Sequence, residues 1–231
     1  MKKKMNPKKI AVVGAAVLIA GMATAGIVAA PRVSSEAITR MNTNEMSISL
    51  DTTGGDEEAT MPGGYVPYAV GVRNTGDYIS YMRVRVNKSW HDEEGKMEEG
   101  DASYITLQTG QEKNRKDIIT TLSDDGDNWL ISVDGNGEDV YFYYQIPVDA
   151  GESTGDFMEW YKIANISNSE QNDYAGKKVR IEVETDAVQV PKLETGGIDV
   201  EKAKDAIMAE WGLEVTGIDV SNGRILSMET D

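Results

Sequence analysis

Two segments of this chain alternate apolar and charged residues with a period of two, and that period fits only one regular backbone. Tyr81–Asn87 sets Met82, Val84 and Val86 against Arg83 and Arg85, and the first half of Lys178–Val190 sets Val179, Ile181 and Val183 against Arg180, Glu182 and Glu184. Successive side chains of a strand point to opposite faces, so each segment offers one apolar face to a core and one charged face to water. A helix would scatter the same residues around its circumference. The pattern predicts Met82, Val84, Val86, Ile181 and Val183 buried, with Arg83, Arg85, Arg180, Glu182 and Glu184 exposed.

Further runs carry the same period. Met46, Ile48 and Leu50 share one face, and Val66, Tyr68, Val70 and Val72 alternate up to a turn at Asn74–Asp77. Trp129–Val133 runs into the turn Asp134-Gly-Asn-Gly. Val140–Ile146 places Tyr141 and Tyr143 on one side, Phe142 and Tyr144 on the other, and Phe157–Ala164 is a further candidate strand. Clusters of turn-forming residues at Thr52–Glu58, Asp92–Gly100 and Asp149–Gly155 separate these runs. Many short strands between Gly- and Asp-rich turns predict an all-β fold, an antiparallel, jelly-roll-like β-sandwich. One short C-terminal helix is expected at Val200–Trp211, with Asp199 as N-cap, Gly212 as the stop, and Val200, Ala203, Ile207 and Trp211 on one face. Gln111–Leu122 reads either as a second helix or as a charged loop.

The chain contains no cysteine and one histidine, His91. Thiol catalysis, iron–sulfur clusters, cysteine zinc sites and lipid attachment to a thiol are thereby excluded, as are two-histidine metal motifs. The fold must be held by burial and hydrogen bonds alone. The formal charge is −16, which repels phosphate backbones and anionic lipid heads, so no nucleic-acid partner is expected.

At the N-terminus five lysines precede an apolar run from Ile10 to Ala30. A basic segment followed by an apolar one is the layout of an export signal. The run is also near the ~20 residues that span a bilayer, so an uncleaved anchor remains the alternative, and membrane contact is expected only through residues 10–30. Small-residue cleavage sites fall at Ala23-Thr24-Ala25, at Val28-Ala29-Ala30 and after Ala37, so the exported chain should begin between Gly26 and Ile38. Cleavage after Ala30 removes the five lysines and takes the charge to −21. The expected organisation is a signal or anchor at 1–30, a linker at 31–44, the sandwich at 45–190, and a helix with a tail at 191–231.

The order of several short pieces resembles a known family. Asn42-Thr43-Asn44 leads into Met46–Leu50; Met61-Pro-Gly-Gly64 precedes a strand; Val72-Arg-Asn-Thr-Gly76, Tyr81-Met-Arg-Val-Arg-Val86 and Trp129 follow; then come Tyr141-Phe-Tyr-Tyr144, Ala150-Gly-Glu-Ser-Thr154 and Ile181–Gln189. In this order the chain resembles the camelysin/TasA-type exported biofilm-matrix proteins of Gram-positive bacteria over about residues 10–190, and the likeness does not extend over Leu213–Asp231. The resemblance implies a signal peptide cut by a dedicated signal peptidase and a secreted, extracellular or cell-surface location. It also implies a jelly-roll sandwich and, in fibre-forming members, donor-strand exchange. The donor would fall within Pro31–Asn44, where Val33, Ala37, Ile38 and Met41 are the apolar contacts, and its partner would be another copy or a sister matrix protein.

Other residue groups have plainer readings beside their functional ones. His91, in Trp90-His-Asp-Glu-Glu94, bears on the metallo-endopeptidase activity ascribed to camelysin, but one histidine beside an Asp- and Gly-rich turn does not make a zinc site. Asp124, Asp125 and Asp127, and likewise Asp134, Asn136 and Glu138, space oxygen ligands as calcium loops do, yet neither run completes an EF-hand, and hairpin turns use the same residues. Trp129 with Tyr141–Tyr144 suggests a glycan platform. Leu193-Glu-Thr-Gly196 lacks the proline of a sortase motif. No cofactor and no catalytic residue is expected. The sequence therefore reads first as a non-catalytic, self-associating matrix or surface protein, second as a membrane-retained module binding glycan or calcium, and a distant third as a peptidase.

Overall fold

The computed structural model describes residues 32–34, 48–54, 63–121 and 128–229. Residues 1–30, most of the linker and the acidic run Asp124–Asp127 lie outside them, and so do the cleavage sites. Among the described residues two antiparallel sheets face each other. The larger has the order β1 (Arg32–Ser34), β11 (Lys178–Gln189), β4 (Ser80–His91), β9 (Asp139–Val148), β8 (Trp129–Val133), with β5 (Met97–Glu98) against the end of β4. The smaller has the order β2 (Ile48–Gly54), β3 (Tyr65–Asn74), β10 (Ser153–Ile163), β6 (Ile105–Thr109), β7 (Lys116–Asp117). The fold is an all-β, antiparallel, jelly-roll-like sandwich.

The two alternating segments pair with each other. β4 and β11 run antiparallel over twelve residues without a register shift, from His91 opposite Lys178 to Ser80 opposite Gln189. Their apolar faces agree: Met82, Val84, Val86, Val183 and Ala187 turn inward together, and β9 adds Val140 and Phe142. The other sheet presents Val66, Val70, Val72, Ile105 and Leu107 to them. Trp129, Phe142 and Phe157 fill the interior, with ring centroids 4.6 Å apart for Trp129–Phe157 and 4.7 Å for Phe142–Phe157. A one-residue slip of β4 against β11 would turn Met82, Val84 and Val86 away from the core, so burial pins the register.

Each end of the sandwich is closed by a polar group that replaces water. Asn74 is fully buried; its amide donates to the carbonyls of Tyr78 (2.7 Å) and Val148 (2.8 Å), and its Oδ1 accepts from the Gly76 amide. At the other end Lys88, 3% exposed, points inward and donates to the carbonyls of Ala102 (3.2 Å) and Ile105 (3.0 Å). Trp90 donates to Asp101 O and packs on Tyr174.

Several boundaries differ from the sequence expectation. β2 continues through Thr52–Gly54 and β10 begins at Ser153, so both invade segments expected to be turns. Gln111–Leu122 holds β7 and a single turn, α1 (Ile118–Thr121), rather than a full helix. The C-terminal helix α2 is Val200–Trp211 as expected, with Asp199 accepting from the Lys202 amide and Gly212 left-handed at φ 68. Ile181, expected buried, is half-buried at the margin of the core.

Val84→Asp should abolish the cooperative thermal transition, because it sets an unpaired carboxylate among fully buried groups. Val84→Ala should cost about 2 kcal/mol in denaturant melts. An unchanged melting curve for Val84→Asp would refute the assignment of this face.

Lys88 gives a pH-dependent prediction. Burial lowers its pKa below the ordinary 10.5, against the pull of Asp117, Asp134 and Asp101. The unfolded chain therefore binds more protons than the folded one between the two values, and stability attributable to Lys88 rises with pH in that window. Wild type should gain stability relative to Lys88→Met as the pH is raised towards 10.5. A difference in unfolding free energy that stays flat with pH would show that the ammonium is not desolvated.

Candidate functional site

The outer face of the larger sheet changes character along β11. Val188 and Val190 lie in an apolar cluster, Asp186 is buried beside them, Glu184 is half-buried, and Glu182 and Arg180 are exposed. The cluster exists because the chain beyond residue 190 folds back over the sheet. α2 lays Ala203, Ala206, Ile207 and Trp211 on Tyr81, Tyr143, Val188 and Val190. The hairpin of β12 (Glu214–Ile218) and β13 (Ile225–Glu229) adds Val215, Ile218 and Ile225. Polar anchors fix this layer. The Tyr81 phenol donates to Gly223 O at 2.7 Å, and burial pushes its pKa well up. Gln145 donates to Ile225 O at 2.7 Å, and Arg224 donates to Gln145 and Asn128. Gly223 is required twice over: its φ is 76, and a side chain there would collide with Ile198 and Pro147.

This layer corrects one expectation. Arg83 has the outward orientation that alternation demands, yet it is 7% exposed, because the C-terminal layer covers it. Its Nε and Nη2 both donate to Asp186 Oδ2, at 3.1 and 2.5 Å, and its guanidinium sits 5.3 Å from the Trp211 ring and 5.7 Å from that of Tyr141. Arg85 and Glu184, also expected exposed, are half-buried; Arg85 bridges Asp139 (2.7 Å) and Glu184 (3.1 Å). Arg180 and Glu182 are exposed as expected and pair with each other.

The edge of β11 opposite β4 is the place where the linker meets the fold. β1 occupies three of its twelve positions, with Arg32 opposite Asp186, Val33 opposite Thr185 and Ser34 opposite Glu184. The sequence offered no place in its own sheet for Pro31–Asn44; the structure seats Val33 at this edge. Ala37, Ile38 and Met41 lie outside the described residues. On the inner side Thr185, 1% exposed, donates to Arg83 O.

The other candidates are not brought into a site. Asp134 and Asn136 form the β8–β9 hairpin turn, where their side-chain oxygens accept the amides of Asp139 and Glu138; the Glu138 carbonyl accepts from Lys88 N. Asp124, Asp125 and Asp127 lie outside the described residues. Among the described residues no three His, Asp or Glu side chains gather as a metal site. His91 donates from Nδ1 to Gly95 O and accepts at Nε2 from the Ser89 hydroxyl, which pins the β4–β5 hairpin. Of the aromatic group Trp129 with Tyr141–Tyr144, Trp129, Phe142 and Tyr143 are buried and Tyr141 and Tyr144 are half-buried. No helix among the described residues is long and apolar enough to cross a membrane.

The sequence reading missed β6 and the β12–β13 hairpin. Both left a signal: Ile105 and Leu107 alternate with Thr106 and Gln108, and Leu213 and Val215 alternate ahead of the turn Ser221-Asn-Gly223.

The geometry defines a β-sandwich module with an accreted helix–hairpin layer and with β1 on the outer edge of β11. No family model and no curated protein matches this chain. Among solved structures it is similar to the second type II cohesin module of the cellulosomal adaptor ScaA scaffoldin of Acetivibrio cellulolyticus, at 12% identity over 58% of this chain and 84% of that one. The TM-score is 0.24, too slight a likeness to carry an argument.

Removing one partner of a buried ion pair strands the other, so Arg83→Ala should cost about 3–5 kcal/mol. Arg180→Ala, in a pair about half exposed, should cost under ~1 kcal/mol. Denaturant melts of the two variants check this; similar costs would mean that the C-terminal layer does not seal Arg83 from water.

Proposed function

We propose that this chain is an exported, non-catalytic structural protein of the bacterial surface or extracellular matrix, which associates with copies of itself by strand addition. The supporting observation is the β11 edge. β4 pairs with one side of β11 over all twelve residues, and on the other side β1 pairs, among the described residues, with Glu184, Thr185 and Asp186. A sheet edge is a template for another strand, and a strand supplied by a second copy can pair there while presenting alternate side chains to the core. The segment that supplies β1 lies just beyond the basic and apolar N-terminus that reads as an export signal. The resemblance to camelysin/TasA-type proteins supplies the same mode, with a signal peptidase acting first and fibres as the product. The chemistry agrees with a structural role, since the single histidine is engaged in a hairpin.

Charge opposes assembly. Like-charged subunits repel over roughly a Debye length, ~10 Å at 0.1 M salt, so salt, divalent cations and low pH should favour association. The secreted protein should form oligomers under those conditions, while a chain beginning at Asn44 should remain monomeric. Sedimentation velocity of both decides the matter. Equal association of the two would rule out strand donation from residues 31–44, and a strictly monomeric secreted protein would favour a solitary binding module.

A further inference from the structure

The outer face of the smaller sheet carries a cation stacked between two rings. Alternation turns Val66, Leu107 and Tyr161 into the core, so the row Tyr65, Lys162, Thr106 and the row Pro67, Trp160, Gln108 stand on the outer side. The loop 110–115 between β6 and β7 meets this face. Its shape depends on Gly110, whose φ is 92 and where a side chain would collide with Asn114 O. Trp160 Nε1 donates to Gly110 O at 3.0 Å, and Glu159 accepts from the Thr109 hydroxyl and the Gly110 amide. The loop thereby sets Arg115 against two rings, its guanidinium carbon 3.9 Å from the centroid of Trp160 and 4.3 Å from that of Tyr65. Lys162 Nζ lies 5.0 Å from the Tyr65 centroid. Arg115 Nη1 donates to Glu112 O at 2.9 Å, and its Nε is buried with no hydrogen-bond partner among the described residues.

In a chain with 39 acidic and 23 basic residues, the partners of these two cations stand out. Arg83 and Arg85 pair with carboxylates, whereas Arg115 and Lys162 have rings and, among the described residues, no carboxylate. A guanidinium stacked face-on keeps its in-plane N–H groups for a planar anion, and the stacking fixes their direction beforehand. Tyr65 is 39% exposed and Trp160 is half-buried, so both rings offer apolar surface to the C–H face of a sugar. Among the described residues Tyr65 is the single large hydrophobic side chain exposed on this face, which is too little for the apolar centre of a protein interface of about 800 Å² per partner. The net charge of −16 repels a densely charged polymer such as nucleic acid, with one charge per ~1.7 Å of duplex, more than a polysaccharide with one carboxylate per sugar. We infer that the outer face of the smaller sheet binds a carboxylated polysaccharide. Arg115 takes the carboxylate through its Nη2 edge, Lys162 adds a second cationic contact, and Tyr65 and Trp160 pack against the sugar. The site is separate from the β11 edge and does not depend on strand addition.

The test is calorimetric titration of the secreted protein with oligogalacturonate, a chain of uronate sugars, at fixed salt and pH. The unaltered protein should bind it, and should not bind the fully methyl-esterified oligomer, which keeps the sugar rings and loses the charge; this arm needs no substitution and so does not depend on the folding of a variant. Arg115→Gln should weaken binding about tenfold or more. Arg115→Lys keeps the charge but not the planar fork, and should not restore it. Lys162→Gln should weaken binding several-fold, while Lys192→Gln, an equal charge change on an exposed residue before α2, should leave it unchanged. Self-association of Arg115→Gln, read by sedimentation velocity, should match that of the unaltered protein. No binding of oligogalacturonate, or equal binding of its ester, would overturn the inference. Equal effects of Lys162→Gln and Lys192→Gln would reduce the site to net charge and overturn it too, as would equally tight binding of oligothymidylate through Arg115. Loss of self-association in Arg115→Gln without sugar binding would assign this face to a second copy of the chain instead, again overturning the inference.

Discussion

The β4–β11 pairing is the interaction on which the rest of the molecule depends. Twelve residues pair without a slip, and each of the two faces so created is put to a different use. The inner face, built on Met82, Val84, Val86, Val183 and Ala187, joins the second sheet in the core of the sandwich. The outer face, built on Tyr81, Arg83, Asp186, Val188 and Val190, receives the C-terminal layer. A central strand pair covered on both sides cannot shift register without exposing one apolar set or the other. The edge of β11 on which β1 sits inherits that rigidity.

Arg83 and Asp186 join the two halves of the account. Alternation alone cannot tell a charged face turned to water from one turned to a covering layer, because both show the same period. The cost of burying the pair is offset by its two hydrogen bonds and by the rings of Trp211 and Tyr141. The C-terminal layer thus covers a pair that links β4 to β11.

The sandwich was legible in the sequence wherever one face met a core and the other met water, as for Val84 between Arg83 and Arg85. The helix at Val200–Trp211 was legible because Asp199 and Gly212 mark its ends chemically. Short elements were not. Ile105–Thr109 has two inward residues, and among the described residues β12 and β13 pair with each other alone, so their pattern is brief and carries a bulge. Arg83 was misplaced because its burial depends on residues more than a hundred positions later. The acidic turn Asp134–Glu138 was ambiguous from composition, since hairpin turns and calcium loops use the same side chains; its geometry shows the oxygens engaged with backbone amides. The linker was the hardest case, because three residues at a sheet edge leave almost no periodic signature, and their place is set by a strand far along the chain.

Amide hydrogen exchange, compared between monomeric and associated secreted protein, tests the central claim most directly. If β11 accepts a strand from a neighbouring copy, association should protect alternate amides along Lys178–Gln189 together with amides of the segment around Arg32–Ser34, and should leave the opposite edge at Trp129–Val133 unchanged. Protection that appears at Trp129–Val133 or on the C-terminal helix, with β11 unaltered, would contradict the account.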